Sequence, residues 1–258
     1  MDQSTNSEPG NPSPRFPYKI PVATSITLHT SSSHLRQHYK AIAATNTTSI
    51  PPYVVFTNGF PGIGKLAVAR TLQARIASKP TILIHNHLLI DPVEAIAPGR
   101  TPLHYKLRRE FRQLAFDALE AEGNENTVLI MTSCTASNDA DAEVFAEHVD
   151  IAQVRKIPFV CVNLLCDTDK QLARLQSQEQ TSGITSKLTD PAVLERLMRD
   201  HKLLNPKDFP SVAENSDIRF LELNTTHRTA NEAADEIVRF IKNMRPAGDA
   251  PDEAIDMG

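Results

Sequence analysis

The sequence predicts a three-layer α/β domain, a five-stranded parallel sheet with helices on both faces. Three observations carry that expectation. Five apolar, β-branched runs alternate with segments whose apolar residues recur at helical spacing, the pattern of a buried parallel sheet and its crossover helices. A glycine-rich turn ending in lysine lies between the first run and its helix. The chain of 258 residues, 40% hydrophobic and 22% charged, suits one soluble α/β domain with tails, or at most two small domains.

Residues 1–50 read as an N-terminal extension, disordered or partly helical. Pro9, Pro12, Pro14 and Pro17 stand among Ser, Asn and Gly, which cannot build a core, and 34–44 can form a short helix. The domain spans 51–245. YVVFTN (53–58) is the first strand and 64–78 its helix; TILIHNHLLI (81–90) begins as the second strand, and Asp91-Pro92 opens a short helix. The clearest helix is 103–122, with Leu103, Leu107, Phe111, Leu114, Ala115 and Ala118 on one face and Gly123-Asn124 at its end. TVLIMTS (127–133) is strand three, 137–156 a helix capped by Ser137 or Asn138, and PFVCVNLLC (158–166) strand four. A helix at 167–178, a polar loop at 179–190, a helix at 190–204 capped by Asp190, strand five at 218–224 and a helix at 229–244 complete the domain. Residues 246–258 read as an acidic, disordered tail.

The stretch GFPGIGK is the most informative. Gly59, Gly64 and Lys65 meet the pattern G-x-x-x-x-G-K in the required context of strand, turn and helix start. Glycines let the backbone approach an anion, and the freed N–H groups and helix N-terminus face it. Lys65 adds a point charge at the β- and γ-phosphates. Gly59, Phe60, Pro61, Gly62, Ile63, Gly64, Lys65, Leu66 and Ala67 are therefore the candidate nucleotide-binding residues, with ATP and Mg²⁺ as the expected cofactors. The pattern usually ends in Ser or Thr, whose hydroxyl reaches Mg²⁺; here Leu66 and Ala67 stand there, so the metal ligands are not named.

In a parallel sheet, ligands sit at the carboxyl ends of the strands. After strand two come Asn86, His87 and Asp91, candidates for binding an acceptor; Asp91 is also the candidate base or hydrogen-bond acceptor for its hydroxyl, or else the N-cap of the Pro92 helix. Arg108 and Arg112 share a helix face at i, i+4. They are either a solvated surface near Glu110 and Asp117 or an anchor for an anionic acceptor, with Arg108 the candidate contact. The loop at 179–190 reads as a lid, with Lys187, and Arg174 on the preceding helix, as candidate catalytic cations. Strand three ends in Thr132-Ser133-Cys134 rather than the acid that would hold Mg²⁺ through water.

The totals exclude several classes. No run approaches the ~18 apolar residues of a membrane span, and no signal-peptide pattern opens the chain. Asp2, Glu8 and the early prolines argue against a transit peptide. Cys134, Cys161 and Cys166 show no metal-ligand spacing and suit a reducing, cytoplasmic compartment. The net charge of −4 hides an acid-free stretch between Glu8 and Asp91 that holds eight Lys or Arg, but aromatics are not interleaved with them, so nucleic-acid binding is not indicated. The expected partners are a nucleotide and a small acceptor, with no membrane and no fixed oligomeric state.

The chain resembles the small P-loop kinases, the group of nucleoside-monophosphate kinases, shikimate kinase and chloramphenicol-phosphotransferase-like proteins. The resemblance rests on Gly59-Phe60-Pro61-Gly62-Ile63-Gly64-Lys65-Leu66, on Asn86-His87-Leu88 and on Ser186-Lys187-Leu188-Thr189-Asp190-Pro191, and is nearest to an uncharacterised ATP-binding branch of AAA type. It implies the P-loop NTPase fold with strand order 2-3-1-4-5, a mobile acceptor-binding region after strand two, a lid after strand four, and Asn224 to Arg228 near the adenine. Members of that branch often keep Thr where Ala67 stands. The expected activity is transfer of the ATP γ-phosphoryl group to a small-molecule hydroxyl. Two rivals remain: a simple ATPase, and a catalytically weakened nucleotide-binding regulator.

Overall fold

The computed structural model describes residues 52–121, 126–179, 188, 190–214 and 216–244. The expected N-terminal helix, the end of the helix at Gly123-Asn124, the acidic tail and nearly all of the lid loop, including Lys187, fall outside the described residues.

All five strands are parallel, in the order β2-β3-β1-β4-β5. They are β1 (Val54–Asn58), β2 (Thr81–His85), β3 (Val128–Ser133), β4 (Phe159–Leu165) and β5 (Ile218–Asn224). The helices are α1 (Lys65–Arg75), α2 (His87–Ile96), α3 (Pro102–Glu120), α4 (Asp139–Arg155), α5 (Thr168–Glu179), α6 (Pro191–Asp200), the single turn α7 (Pro210–Ala213) and α8 (Ala230–Lys242). This is the P-loop NTPase arrangement, with the glycine loop following the central strand. Sequence pattern explains the layers: β1 and β3 are buried at every residue, as central strands covered on both faces must be, while β2 and β5 at the edges are only half-buried. One face packs Val55, Ile130 and Val160 against Leu72 of α1 and Ile237 of α8; the other packs Phe56, Met131 and Phe159 against Phe116 of α3 and Phe145 of α4. Among the described residues, no helix is long and apolar enough to cross a membrane.

Three expectations are corrected. Strand two ends at His85, and the next helix opens at His87. Pro92 therefore lies inside α2, where its ring forgoes the bond to the Leu88 carbonyl, and Asp91 is not an N-cap. The apolar stripe expected on α3 does not face inward along its length: Leu103 is 56% and Leu114 72% exposed. The inward line is His104, Arg108, Arg112, Phe116 and Leu119. Phe116 and Leu119 meet the core, His104 is buried with Nδ1 on the Ala97 carbonyl, and Arg108 and Arg112 between them face an open cavity, where apolar side chains gain nothing from pointing in. The helix expected over 190–204 ends at Asp200, Leu203 instead forming a bridge to Ala136, and a 3₁₀ turn follows at Pro206–Asp208.

Candidate active site at the carboxyl ends of the strands

The glycine loop is fixed by its neighbours. Asn58, the last residue of β1, donates from Nδ2 to the Thr135 carbonyl at 3.0 Å and to Asn163 Oδ1 at 3.1 Å, and its Oδ1 accepts the Thr135 N–H at 2.8 Å. Asn163 in turn donates to the Leu204 carbonyl at 3.0 Å. This buried amide pair ties the ends of β1, β3 and β4 together beneath the loop. From α5, Gln171 donates to the Pro61 carbonyl at 2.7 Å. Gly62 has φ +81°, and a side chain there would meet Gln171 O and Leu175 Cβ at 3.1 Å, so only glycine fits. Gly64 has φ +93° and an added Cβ would meet nothing within 4 Å, so the backbone there faces open space.

The helix starts differ by position. Side chains cap α3 (Thr101), α4 (Asn138), α6 (Asp190) and α8 (Thr229, in a capping box with Glu232). Neither α1, beginning after Gly64, nor α2, beginning after Asn86, has a side-chain cap or an acid in its first turn. Their amides are left to the space at the ends of β1 and β2, where the helix dipole favours an anion.

Lys65 donates from Nζ to the carbonyls of Gly59 at 2.6 Å and Phe60 at 3.1 Å. Its ammonium is enclosed, and burial holds its pKa below the ordinary lysine value, with its neighbour Cys134 acting in the opposite sense. Leu66 and Ala67 present no hydroxyl, and among the described residues no group of three His, Cys, Asp or Glu is placed to hold a metal. The loop thus fits a polyphosphate, and among the described residues no such group of three accompanies it.

Cys134 also lines a cavity of about 280 Å³ between the ends of β2 and β3 and helices α2, α3 and α4. Asn86, Tyr105, Arg108, Arg112, Thr132 and Asp141 supply its polar wall, and Ile84 and Met131 part of its apolar one. Of the expected acceptor residues, Asn86 and Arg108 meet here. The backbone N–H of Asn86 donates to Thr132 Oγ1 at 3.2 Å. Arg108 is half-buried, with no hydrogen bond or ion pair among the described residues; burial first, then Arg112 and Arg100, push its pKa down. Arg112 instead pairs closely with Glu147, and Arg109 approaches the same carboxylate at 3.5 Å. At the cavity floor His148 is packed between Phe56 and Phe116, with ring centroids 4.8 and 4.7 Å away, and its Nδ1–H donates to the Val144 carbonyl at 2.6 Å. Burial lowers its pKa to about 4 against the opposing pull of that bond.

His87 and Asp91 do not line this cavity. They pair with each other across one turn of α2, Nδ1 to Oδ1 at 3.1 Å, on the face beside Asn86, Leu89 and Ile90, which do line it. Arg174 lies elsewhere, donating to the Thr225 carbonyl at 2.7 Å, the Thr226 carbonyl at 3.3 Å and Thr225 Oγ1 at 3.4 Å. It thereby fastens α5 to the loop after β5 and would have to release these bonds to meet a phosphoryl group. Sequence reasoning gave no role to Asn58, Asn163 or Gln171, whose task is packing under the loop. Asp141, in the first turn of α4, accepts the Ala136 N–H with Oδ2 at 2.8 Å and also lines the cavity.

No protein-family model matches the chain, and no curated protein matches it. Among solved structures it is similar in fold to small kinases. Shikimate kinase from Acinetobacter baumannii, in complex with shikimate, is 16% identical over 76% of this chain and 97% of that one, with a TM-score of 0.43. A gluconokinase from Sinorhizobium meliloti is 13% identical over 75% and 95%, with a TM-score of 0.45. The APS kinase of Mycobacterium tuberculosis, in complex with AMPPNP and APS, is 16% identical over 74% and 98%, with a TM-score of 0.44. The fold assignment rests on the strand order and loop position observed in this chain.

Proposed function

We propose that the protein is an ATP-dependent phosphotransferase that moves the γ-phosphoryl group to the hydroxyl of a small molecule. The observation that supports it best is adjacency: Cys134 is a neighbour of Lys65 and also lines the cavity that holds Arg108. A triphosphate on the loop and a small polar molecule in the cavity would meet at that shared wall.

In this account the backbone N–H groups from Gly59 to Lys65 cradle the phosphates, and Lys65 exchanges its two loop carbonyls for phosphate oxygens. The acceptor oxygen forms the new bond to phosphorus, the bond from the γ-phosphorus to the β–γ bridging oxygen breaks, and ADP leaves with that electron pair. Asp91, paired with His87 outside the cavity wall, would have to turn toward the acceptor to take the hydroxyl proton. Arg108 and Asn86 hold the acceptor, so that positioning and fixed charge supply most of the rate. Lys187 and Arg174 are proposed to meet the transferring charge from the lid side. Magnesium would arrive as the counter-ion of the nucleotide, and no step is assigned to it.

Coupled measurement of ADP release with and without small hydroxylated metabolites tests the proposal. Release stimulated by an acceptor supports it. Acceptor-independent release identifies an ATPase. ATP binding with no release identifies a nucleotide-binding regulator, a rival favoured by Leu66, Ala67 and the Thr-Ser end of β3.

A further inference from the structure

Buried threonines at the ends of the strands have partners for their hydroxyls. Thr57 Oγ1 donates to the Met131 carbonyl at 2.9 Å and Thr225 Oγ1 to the Leu165 carbonyl at 3.0 Å. Thr132 Oγ1 accepts the Asn86 N–H at 3.2 Å, and Thr226 Oγ1 the Asp167 N–H at 2.9 Å. Thr135 differs. It is 1% exposed, and among the described residues it carries the one buried hydroxyl with no hydrogen-bond partner. Such a group destabilises the protein that holds it, because it has left water and gained nothing in exchange. The backbone keeps Thr135 in place. Its N–H donates to Asn58 Oδ1 at 2.8 Å, and its carbonyl accepts from Asn58 Nδ2 at 3.0 Å and from the Leu204 N–H at 3.2 Å. Asn58 directly precedes Gly59, and Thr135 lines the cavity together with Cys134, the neighbour of Lys65. Thr135 therefore stands where the glycine loop and the cavity meet.

We propose that the Thr135 hydroxyl is reserved for the nucleotide and donates to an oxygen of the terminal phosphoryl group when a triphosphate occupies the loop. The inference rests on the loop being the nucleotide site and adds to it a residue that senses the γ-phosphate. An ionised phosphoryl oxygen can only accept, and a hydroxyl without another partner can donate to it. Hydrogen bonds to ionised oxygens are among the stronger ones, so the gain on binding is larger than the loss it repairs. The hydroxyl is shut from solvent in the unliganded protein. The bond therefore forms with the rearrangement that frees Lys65 from the Gly59 and Phe60 carbonyls. A diphosphate ends one phosphate short of this place and leaves the hydroxyl as it was. Thr135 thus separates ATP from ADP at the junction where transfer takes place.

The test is calorimetric titration of the full chain near pH 8 with ADP and with β,γ-imido-ATP, each with excess magnesium. Neither probe needs an acceptor. The wild type should favour the imido-triphosphate over ADP. Thr135→Val, close to threonine in shape, should weaken the imido-triphosphate by about tenfold or more and leave ADP affinity unchanged. The same variant should be no less stable than the wild type in chemical denaturation, since a methyl group replaces an unpartnered hydroxyl. Thr135→Ser keeps the hydroxyl and should keep the preference. A preference unmoved by Thr135→Val, an equal loss for both nucleotides, a preference lost in Thr135→Ser, or a wild type that does not favour the imido-triphosphate overturns the proposal. So does a loss of stability in Thr135→Val, failure to fold included, because it would show the hydroxyl already bonded in the unliganded protein, to water or to protein. ADP binding with an unmoved preference removes this inference alone. Binding of neither nucleotide removes the nucleotide site with it.

Discussion

Two regions at the carboxyl ends of the strands do different work with different materials. The loop after β1 is built from backbone: glycines at positive φ, an uncapped helix start and one lysine, fastened from below by Asn58 and Gln171. The cavity beside it is built from side chains, chiefly one helix face that turns arginine inward where a core would ask for leucine. Backbone recognises what every nucleoside triphosphate shares. Side chains recognise what one acceptor has and another lacks. The loop is therefore suited to be general and the cavity to be selective.

Substitutions can break this division in order of effect. Asp91→Asn should lower phosphoryl transfer by about 10²–10⁴-fold, the usual worth of a general base, with ATP affinity unchanged in titration. Since Asp91 lies within α2 and is not its cap, the melting temperature should scarcely move; a stability loss with unaltered transfer would deny it a chemical role. Arg108→Gln should raise the acceptor KM by roughly 10–100-fold through loss of a charge-assisted pair, leaving the KM for ATP alone. An equal rise in both constants would mean the two regions are not separable. Gly62→Ala forces a side chain into a left-handed position against Gln171 and Leu175, and should cost about 1–3 kcal/mol in chemical denaturation and weaken ATP more than the acceptor.

The smallest effect concerns the cavity floor. His148 is neutral when folded and its pKa falls from 6.5 to about 4, so the unfolded chain binds more protons between those values. Its contribution to stability is fully present above about pH 6.5 and is lost as pH falls toward 4. Denaturation midpoints should decline over that window in the wild type and decline less in His148→Leu. Identical slopes in the two proteins would show that other groups govern acid unfolding.

The two regions were also unequally legible in the sequence. The loop announces itself because its chemistry needs glycine and lysine at fixed spacing, directly after a strand. The five strands and the caps at Asn138 and Asp190 were legible for the same local reason. The cavity was not. Leu103, Leu107, Phe111 and Leu114 mark the apolar side of α3 by periodicity, yet the face that turns inward carries Arg108 and Arg112, because a cavity rather than a core lies opposite. Likewise, Asp91-Pro92 has the form of a helix start, and only packing shows that α2 had begun at His87. The amides of Asn58 and Asn163 give no local signal within their strands, since the bond that joins them links segments 105 residues apart.

The most direct measurement is ATP binding by titration calorimetry of the full chain, compared with Lys65→Ala. The account predicts saturable binding by the wild type and a loss of at least about tenfold in the variant, since a buried charge on the β- and γ-phosphates is removed. Equal affinity in the two proteins, or no binding by the wild type, would contradict the assignment of the loop to a nucleotide.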